Sequence, residues 1–327
     1  MMTKNKIVTV IICSVLFSCK VMADWQTLNP SGEATARHEN GVVAHDNKVF
    51  VIGGRGIKAV EVYDPISNSW RKNNPTPIEF HHVTPVSFDG KILLVTGLTG
   101  RYPKEPPLSH VWEYDPRTDK WRTIFEIPKE RRRGGAGVTV YQGKIYIVGG
   151  IKLGHTSGTS NMVDVYDPKA KSWTILTDAP HIRDHANAAI LDGKLIAFGG
   201  RNSSYHEPEE FGAFMRQVND KIDVYDIQSG IWKTLKIRLP IPTAGAGAVV
   251  YNNRLYYTGG EHAPTPANNR TVSFELTSKT WQEEGKLNRG RHGTNAVLIG
   301  NQMYIAMGSG NKGGGPELNS IEVLTLK

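Results

Sequence analysis

Six tryptophans recur along the chain at near-equal intervals. They are Trp25, Trp70, Trp121, Trp173, Trp232 and Trp281, separated by 45, 51, 52, 59 and 49 residues. Between them lies a hydrophobic run that ends in two small residues: Gly53-Gly54, Thr96-Gly97, Gly149-Gly150, Gly199-Gly200, Gly259-Gly260 and a degenerate Met307-Gly308. A period of about 50 residues is the mark of a repeat architecture and constrains the fold before any single residue has a role.

Residues 134–176 show the unit. A small-residue apolar run (Gly134 to Tyr141) meets the turn Gln142-Gly143-Lys144. The β-branched and aromatic strand Ile145 to Val148 follows, then the alternating Val163-Asp164-Val165-Tyr166-Asp167 and a strand around Trp173. Each unit is therefore predicted to be a four-stranded antiparallel meander. Such a sheet cannot cover both its faces alone, so radial stacking into a propeller is the physical solution. Paired glycines after strand two, Tyr-Asp-Pro after strand three and Trp in strand four resemble the kelch repeat, and the resemblance extends from residue 24 to the end. It implies an all-β, six-bladed kelch β-propeller. Thr96, Met307 and Phe274-Glu275-Leu276-Thr277 depart from the pattern, and the last repeat ends at Ile321 to Leu324 without a tryptophan. Trp25 has no repeat before it, so N- and C-terminal strands are expected to share blade six and close the ring.

Residues 1–23 differ from the rest. Lys4 and Lys6 precede the apolar run Ile7 to Phe17, and Val21-Met22-Ala23 offers small residues for cleavage, so a secretory signal is expected. Residues 24–327 then form a single propeller domain in a secreted or periplasmic protein. Lipoprotein anchoring through Cys19 is the rival reading. Both cysteines, Cys13 and Cys19, sit inside the signal. The processed chain would have no thiol for a disulfide or for the Cys–Tyr crosslink of copper-radical oxidases. Loss of Lys4, Lys6 and Lys20 lowers the formal charge from +8 to +5. That mild excess suits an anionic small molecule or acidic glycan, and no run of basic and aromatic residues suggests nucleic acid. No cofactor and no membrane span are expected, and the protein is expected to be a monomer.

The meander puts the start of strand one, the loop after the glycine pair and the start of strand three on one face. Sixteen residues before each first glycine position stand Arg37, Phe80, Arg133, Arg183, Thr243 and Arg291. His38, His81, Asp184 and His292 follow directly, with His82 and His185 one step further on. Strand-three starts add His110 and Lys221. Innermost strands converge on the axis, so these residues are expected to line an Arg/His funnel that binds an anionic ligand. The arginines are either bidentate donors to that ligand or, as kelch resemblance implies, bonded to carbonyls or carboxylates of the next blade. The histidines can serve as acid/base groups, hydrogen-bonding walls or metal ligands. Only Glu39 and Asp184 offer carboxylates in this register, so no metal is expected.

The long loop after Gly200 carries Tyr205, His206 and Glu207. With Glu261 and His292 these are the candidate catalytic residues, should the chain be an enzyme. By layout the chain is similar to exported bacterial kelch propellers that include periplasmic sialic-acid mutarotases. That resemblance implies a sugar mutarotase or, more distantly, a glycan lyase. A binding module for an acidic sugar and a protein–protein scaffold are the competing readings, since a propeller by itself licenses little.

Overall fold

The computed structural model describes residues 24–263 and 266–327, so the secretory signal expected over residues 1–23 lies outside the described residues. Six four-stranded antiparallel sheets surround an axis. Blade one is Asn40–His45, Lys48–Gly53, Ala59–Asp64 and Ser69–Pro75, taken from the axis outward. Blades two to five repeat that order along the chain, and blade three adds a short hairpin, Ile151–Leu153 with Ser157–Thr159. Blade six comprises Ala296–Ile299, Gln302–Ala306 and Ile321–Thr325, with Gln26–Thr27 as its outer strand. Gln26 pairs with Val323 and Thr27 with Glu322, so the two chain ends close the ring as expected.

Local chemistry explains the meander. The first two strands of several blades are joined by two residues that both take positive φ, such as Asp46-Asn47, Gln142-Gly143, Asp192-Gly193 and Asn252-Asn253. This is the geometry of a tight turn that matches strand twist and sets register. The aspartate of Tyr-Asp-Pro turns back on its own loop: Asp64 accepts from the Ile66 N–H at 2.9 Å and Asp115 from that of Arg117 at 3.0 Å. Tyr63, Tyr114, Tyr166 and Tyr225 lie directly opposite Trp70, Trp121, Trp173 and Trp232, and Phe274 takes the same place opposite Trp281. These cross-strand aromatic pairs, with centroids 4.8–6.0 Å apart, explain why the tryptophans recur.

The core lies between blades. Ile196, Phe198 and Val224 of blade four pack with Leu255, Tyr257 and Phe274 of blade five, all buried. The glycine pairs hold the seams. The second small residue of each pair donates its N–H to the next blade, Gly54 to Phe80 O at 2.8 Å, Gly150 to Arg183 O at 2.8 Å and Gly308 to Arg37 O at 2.9 Å among them. A Cβ on Gly53 would stand 2.1 Å from that Phe80 carbonyl, so the first position of this pair must be bare.

Trp25 occupies the seam between blades five and six with Tyr256, Leu287 and Leu324, and its indole N–H donates to Thr271 Oγ1 at 2.8 Å. Trp25→Ala is expected to lower unfolding free energy by about 3–5 kcal/mol, the usual cost of a buried tryptophan truncation. Urea denaturation followed by circular dichroism checks this; a loss under about 1 kcal/mol would mean the closing strand contributes little.

Candidate functional site

The arginine ring forms, but in the wall of the propeller. Arg37, Arg133, Arg183 and Arg291 are at most 2% exposed. Each donates to the carbonyl sixteen residues ahead in its own blade: Gly53 at 3.0 Å, Gly149 at 2.5 Å, Gly199 at 3.1 Å and Met307 at 3.1 Å. Each also meets a buried carboxylate from the third strand of that blade, Glu61, Asp164, Asp223 and Glu322 respectively, at 2.5–3.1 Å. The reading of these four as ligand donors is therefore corrected, and so is the expectation that their partners come from the next blade. The acid stands two residues before Tyr63, Tyr166 and Tyr225, and before Leu324 at the same place in blade six. Where the arginine is absent the acid is absent too: Phe80 packs on Trp112 with centroids 5.4 Å apart, and Thr243 shares its blade with Val272.

Two residues beyond each wall position the chain reaches the axis. Glu39, His82, Gly135, His185, Gly245 and Gly293 all take positive φ, between 50° and 63°. Backbone bonds link them blade to blade: His82 N to Glu39 O, Gly135 N to His82 O, Gly245 N to His185 O and Gly293 N to Gly245 O, at 2.9–3.0 Å. The links from Ala186 N to Gly135 O (3.4 Å) and from Asn40 N to Gly293 O (3.2 Å) complete the circle. Above it opens a cup of about 420 Å³ lined by His38, Glu39, Arg55, Tyr102, His155, Arg201, Phe214, Met215, Glu261 and the Gly313-Gly314 backbone.

Charge in the cup is paired. Arg201 bonds to Glu261, to Ser203 Oγ at 2.8 Å and to His185 Nε2 at 3.3 Å. Burial disfavours its charge, yet Glu261 and Asp184 outweigh burial and raise its pKa. Arg55 reaches Glu105 at 2.5 Å with a quarter of its side chain exposed. Glu261 also accepts from Gly313 N at 2.7 Å and lies 3.3 Å from His292 Nε2. Burial works against every one of these carboxylates, but the cationic and hydrogen-bonding neighbours prevail. Glu105 and Asp184 are held down to about 2, and Glu39 and Glu261 lie below the usual carboxylate range. Burial also pushes His81, His82 and His155 below the ordinary imidazole value, His82 furthest.

The remaining expected residues divide. His38 lines the cup, its Nδ1 2.7 Å from Glu317. His81 Nδ1 contacts His82 Nδ1 at 2.7 Å, and His185 Nδ1 meets Asp184 at 2.5 Å. Asp184 further accepts from Ser203 N and Thr159 Oγ1, tying two loops to the axis. His110 and Lys221 do not line the cup: His110 contacts Ser109 Oγ and Lys221 pairs with Asp220. The long loop is also corrected. Tyr205 donates to Glu207, Glu207 and Glu210 pair with Arg216, and His206 stacks on Phe211 while contacting the Phe211 and Thr156 carbonyls. What this loop sends into the cup is Phe214 and Met215. Sequence reasoning missed His155, Glu105, Tyr102 and Phe214. All four lie in loops after the glycine pairs, which the meander sends to this face, but loop path is invisible to periodicity.

Six kelch blades around a central cup make a β-propeller that serves as a general protein-interaction or ligand-binding scaffold. The chain belongs to the Attractin/LZTR1 β-propeller family, which matches residues 13–265. It is similar to Kelch-like protein terF of Aspergillus terreus, 26% identical over 306 residues that cover 87% of this chain and 64% of that protein. Kelch-like protein 40 of Xenopus tropicalis is 30% identical over 196 residues, 58% of this chain and 30% of that one. The chain thus spans less than two thirds of the length of these relatives. Among solved structures YjhT superposes with a TM-score of 0.73 at 16% identity, covering 91% of this chain and 97% of that one, which shows a shared fold. Among the described residues no helix is long and apolar enough to cross a membrane.

Removing one partner of a wall pair leaves an uncompensated buried charge, which typically costs about 3–5 kcal/mol. Arg183→Met is expected to lose stability on that scale in urea denaturation. An unchanged midpoint would show that Asp223 is satisfied by His181 and Thr234 alone.

Proposed function

We propose that the cup binds a sugar carrying one carboxylate. The carrying observation is the convergence of ionised carboxylates with an aromatic wall in one concave site. Glu39 and Glu261 are acceptor-only groups suited to sugar hydroxyls, Tyr102 and Phe214 supply apolar faces for a sugar ring, and the cup has the size of a small-molecule site. Arg55 is the guanidinium with room to move, since Arg201 is 1% exposed and bonded throughout. The ligand carboxylate therefore docks on Arg55, displacing or sharing Glu105. Binding is favoured over acid/base catalysis because an efficient general base titrates near the working pH, whereas these carboxylates are held far below it. Export through residues 1–23 belongs to the same proposal; intact-mass measurement of secreted material beginning at Asp24 checks it, and an unprocessed intracellular chain would remove it.

Isothermal titration with hexuronic and sialic acids against neutral hexoses tests the ligand. Arg55→Gln is expected to weaken acidic-sugar binding by about 10-fold or more, the scale of a charge-assisted hydrogen bond. Tyr102→Ala is expected to weaken acidic and neutral sugars alike. No sugar binding at all, or indifference to both variants, would sink the proposal. NMR of any bound sugar should show anomer exchange no faster than in buffer; faster exchange would move the assignment to a mutarotase.

A further inference from the structure

We propose that His82, His155 and His185 hold one divalent transition-metal ion of the zinc class at the floor of the cup. Their donor atoms lie within 4.8 Å of one another, and their ring centroids are 4.7–5.2 Å apart, His82 edge to face with both others and His155 tilted against His185. All three are at most 6% exposed. A tetrahedral ion with bonds of about 2.0–2.1 Å needs donors roughly 3.4 Å apart, so small ring rotations suffice.

Hydrogen-bond roles settle which nitrogens are available. A carbonyl oxygen only accepts, so His81 Nε2 donates to Gly100 O at 3.0 Å and neutral His81 presents a lone pair at Nδ1. The 2.7 Å contact with His82 Nδ1 then requires His82 to donate there. Its Nε2 is left as a lone pair, buried, without a hydrogen-bond partner and 3.1 Å from Glu39 Oε2. A lone pair facing an ionised carboxylate is repulsive unless a cation stands between them. His155 Nδ1 is bound by Glu105 at 2.9 Å and His185 Nδ1 by Asp184 at 2.5 Å, which leaves Nε2 of each ring as its ligand atom. Carboxylate on one ring nitrogen and metal on the other is the usual arrangement around zinc-bound histidine.

The surrounding charge agrees. Glu39, Glu105 and Asp184 face the three rings, and the opposing cations are Arg55, paired with Glu105, and Arg201. Arg201 reaches His185 Nε2 at only 3.3 Å and keeps Glu261 and Ser203 if that contact yields to an ion. Glu39 supplies an oxygen as fourth ligand, giving the mixed nitrogen and oxygen set that zinc accepts. Glu39, His82 and His185 are also the three residues that carry side chains at positive φ where the rest of the axial circle uses glycine. Retained backbone strain of this kind clusters at functional positions. The three histidines have no role in the sugar proposal, which shares only Glu39 and Glu105 with this site, and the test uses no sugar.

The full chain, purified without a histidine tag, stripped with chelator and carrying Cys13→Ser and Cys19→Ser to remove the thiols, is titrated with Zn²⁺ calorimetrically and with Co²⁺ by visible absorption. One ion per chain is expected, with the intense bands of four-coordinate cobalt. His155→Gln should weaken binding at least about 10-fold, Glu105→Gln about 10-fold by loosening His155, and His45→Gln, bonded to Ser87 far from the cup, should leave it unchanged. Absence of uptake by the parent chain, or equal uptake by His155→Gln, would overturn the proposal. Should His155→Gln fail to fold, Cu²⁺ paramagnetic resonance of the parent decides: hyperfine structure from imidazole nitrogens supports the site, and an oxygen-only spectrum refutes it.

Discussion

The circle of backbone hydrogen bonds at the axis is the constraint on which the rest depends. Six chain segments can approach so closely only if each turns sharply at one residue, and positive φ supplies that turn. Left-handed backbone costs an L-residue about 1–2 kcal/mol, and glycine escapes most of that cost at Gly135, Gly245 and Gly293. Placing Glu39, His82 and His185 at the other three positions sacrifices stability. Their side chains emerge at the centre of the cup, where the loop residue His155 meets them.

Charge is used in two unlike ways a few residues apart. In the wall, Arg37, Arg133, Arg183 and Arg291 pair with their own blade's acids and carbonyls and hold the outward-running strands to the axial turn. Buried pairs of this kind contribute little net stability over an apolar substitute, and blade two illustrates the substitute with Phe80 against Trp112. In the cup, carboxylates outnumber guanidiniums around the imidazoles. Each acid there contacts a loop from a neighbouring blade: Asp184 reaches Thr159, Glu105 reaches His155 and Glu261 reaches Gly313. The same contacts that shape the cup hold its acids ionised.

The repeat made most of the fold legible. The tryptophans mark cross-strand aromatic pairs, the glycine pairs mark seams, and the lone Trp25 marks ring closure. Register also brought His38, His81, His82, Asp184, His185 and His292 to one end. It misled at the arginines, because alternation along a strand says which end a residue occupies but not whether its side chain turns into the blade or towards the axis. The deciding partners, Glu61, Asp164, Asp223 and Glu322, come from a strand two positions away in the sheet. The loop after Gly200 misled for a similar reason: its polar residues satisfy one another at the surface while Phe214 and Met215 turn inward.

Periodicity in the sequence determined the number of blades, the strand order and the closing strand, since each repeat must satisfy the same local turn and pairing rules. Tertiary structure alone decided which charges were consumed in the wall and which stood in the cup. It also decided that His155, in an irregular loop, joins His82 and His185. Local rules repeat with the chain, whereas many neighbours of a side chain at the axis come from other blades, whose convergence exists only once the ring has closed.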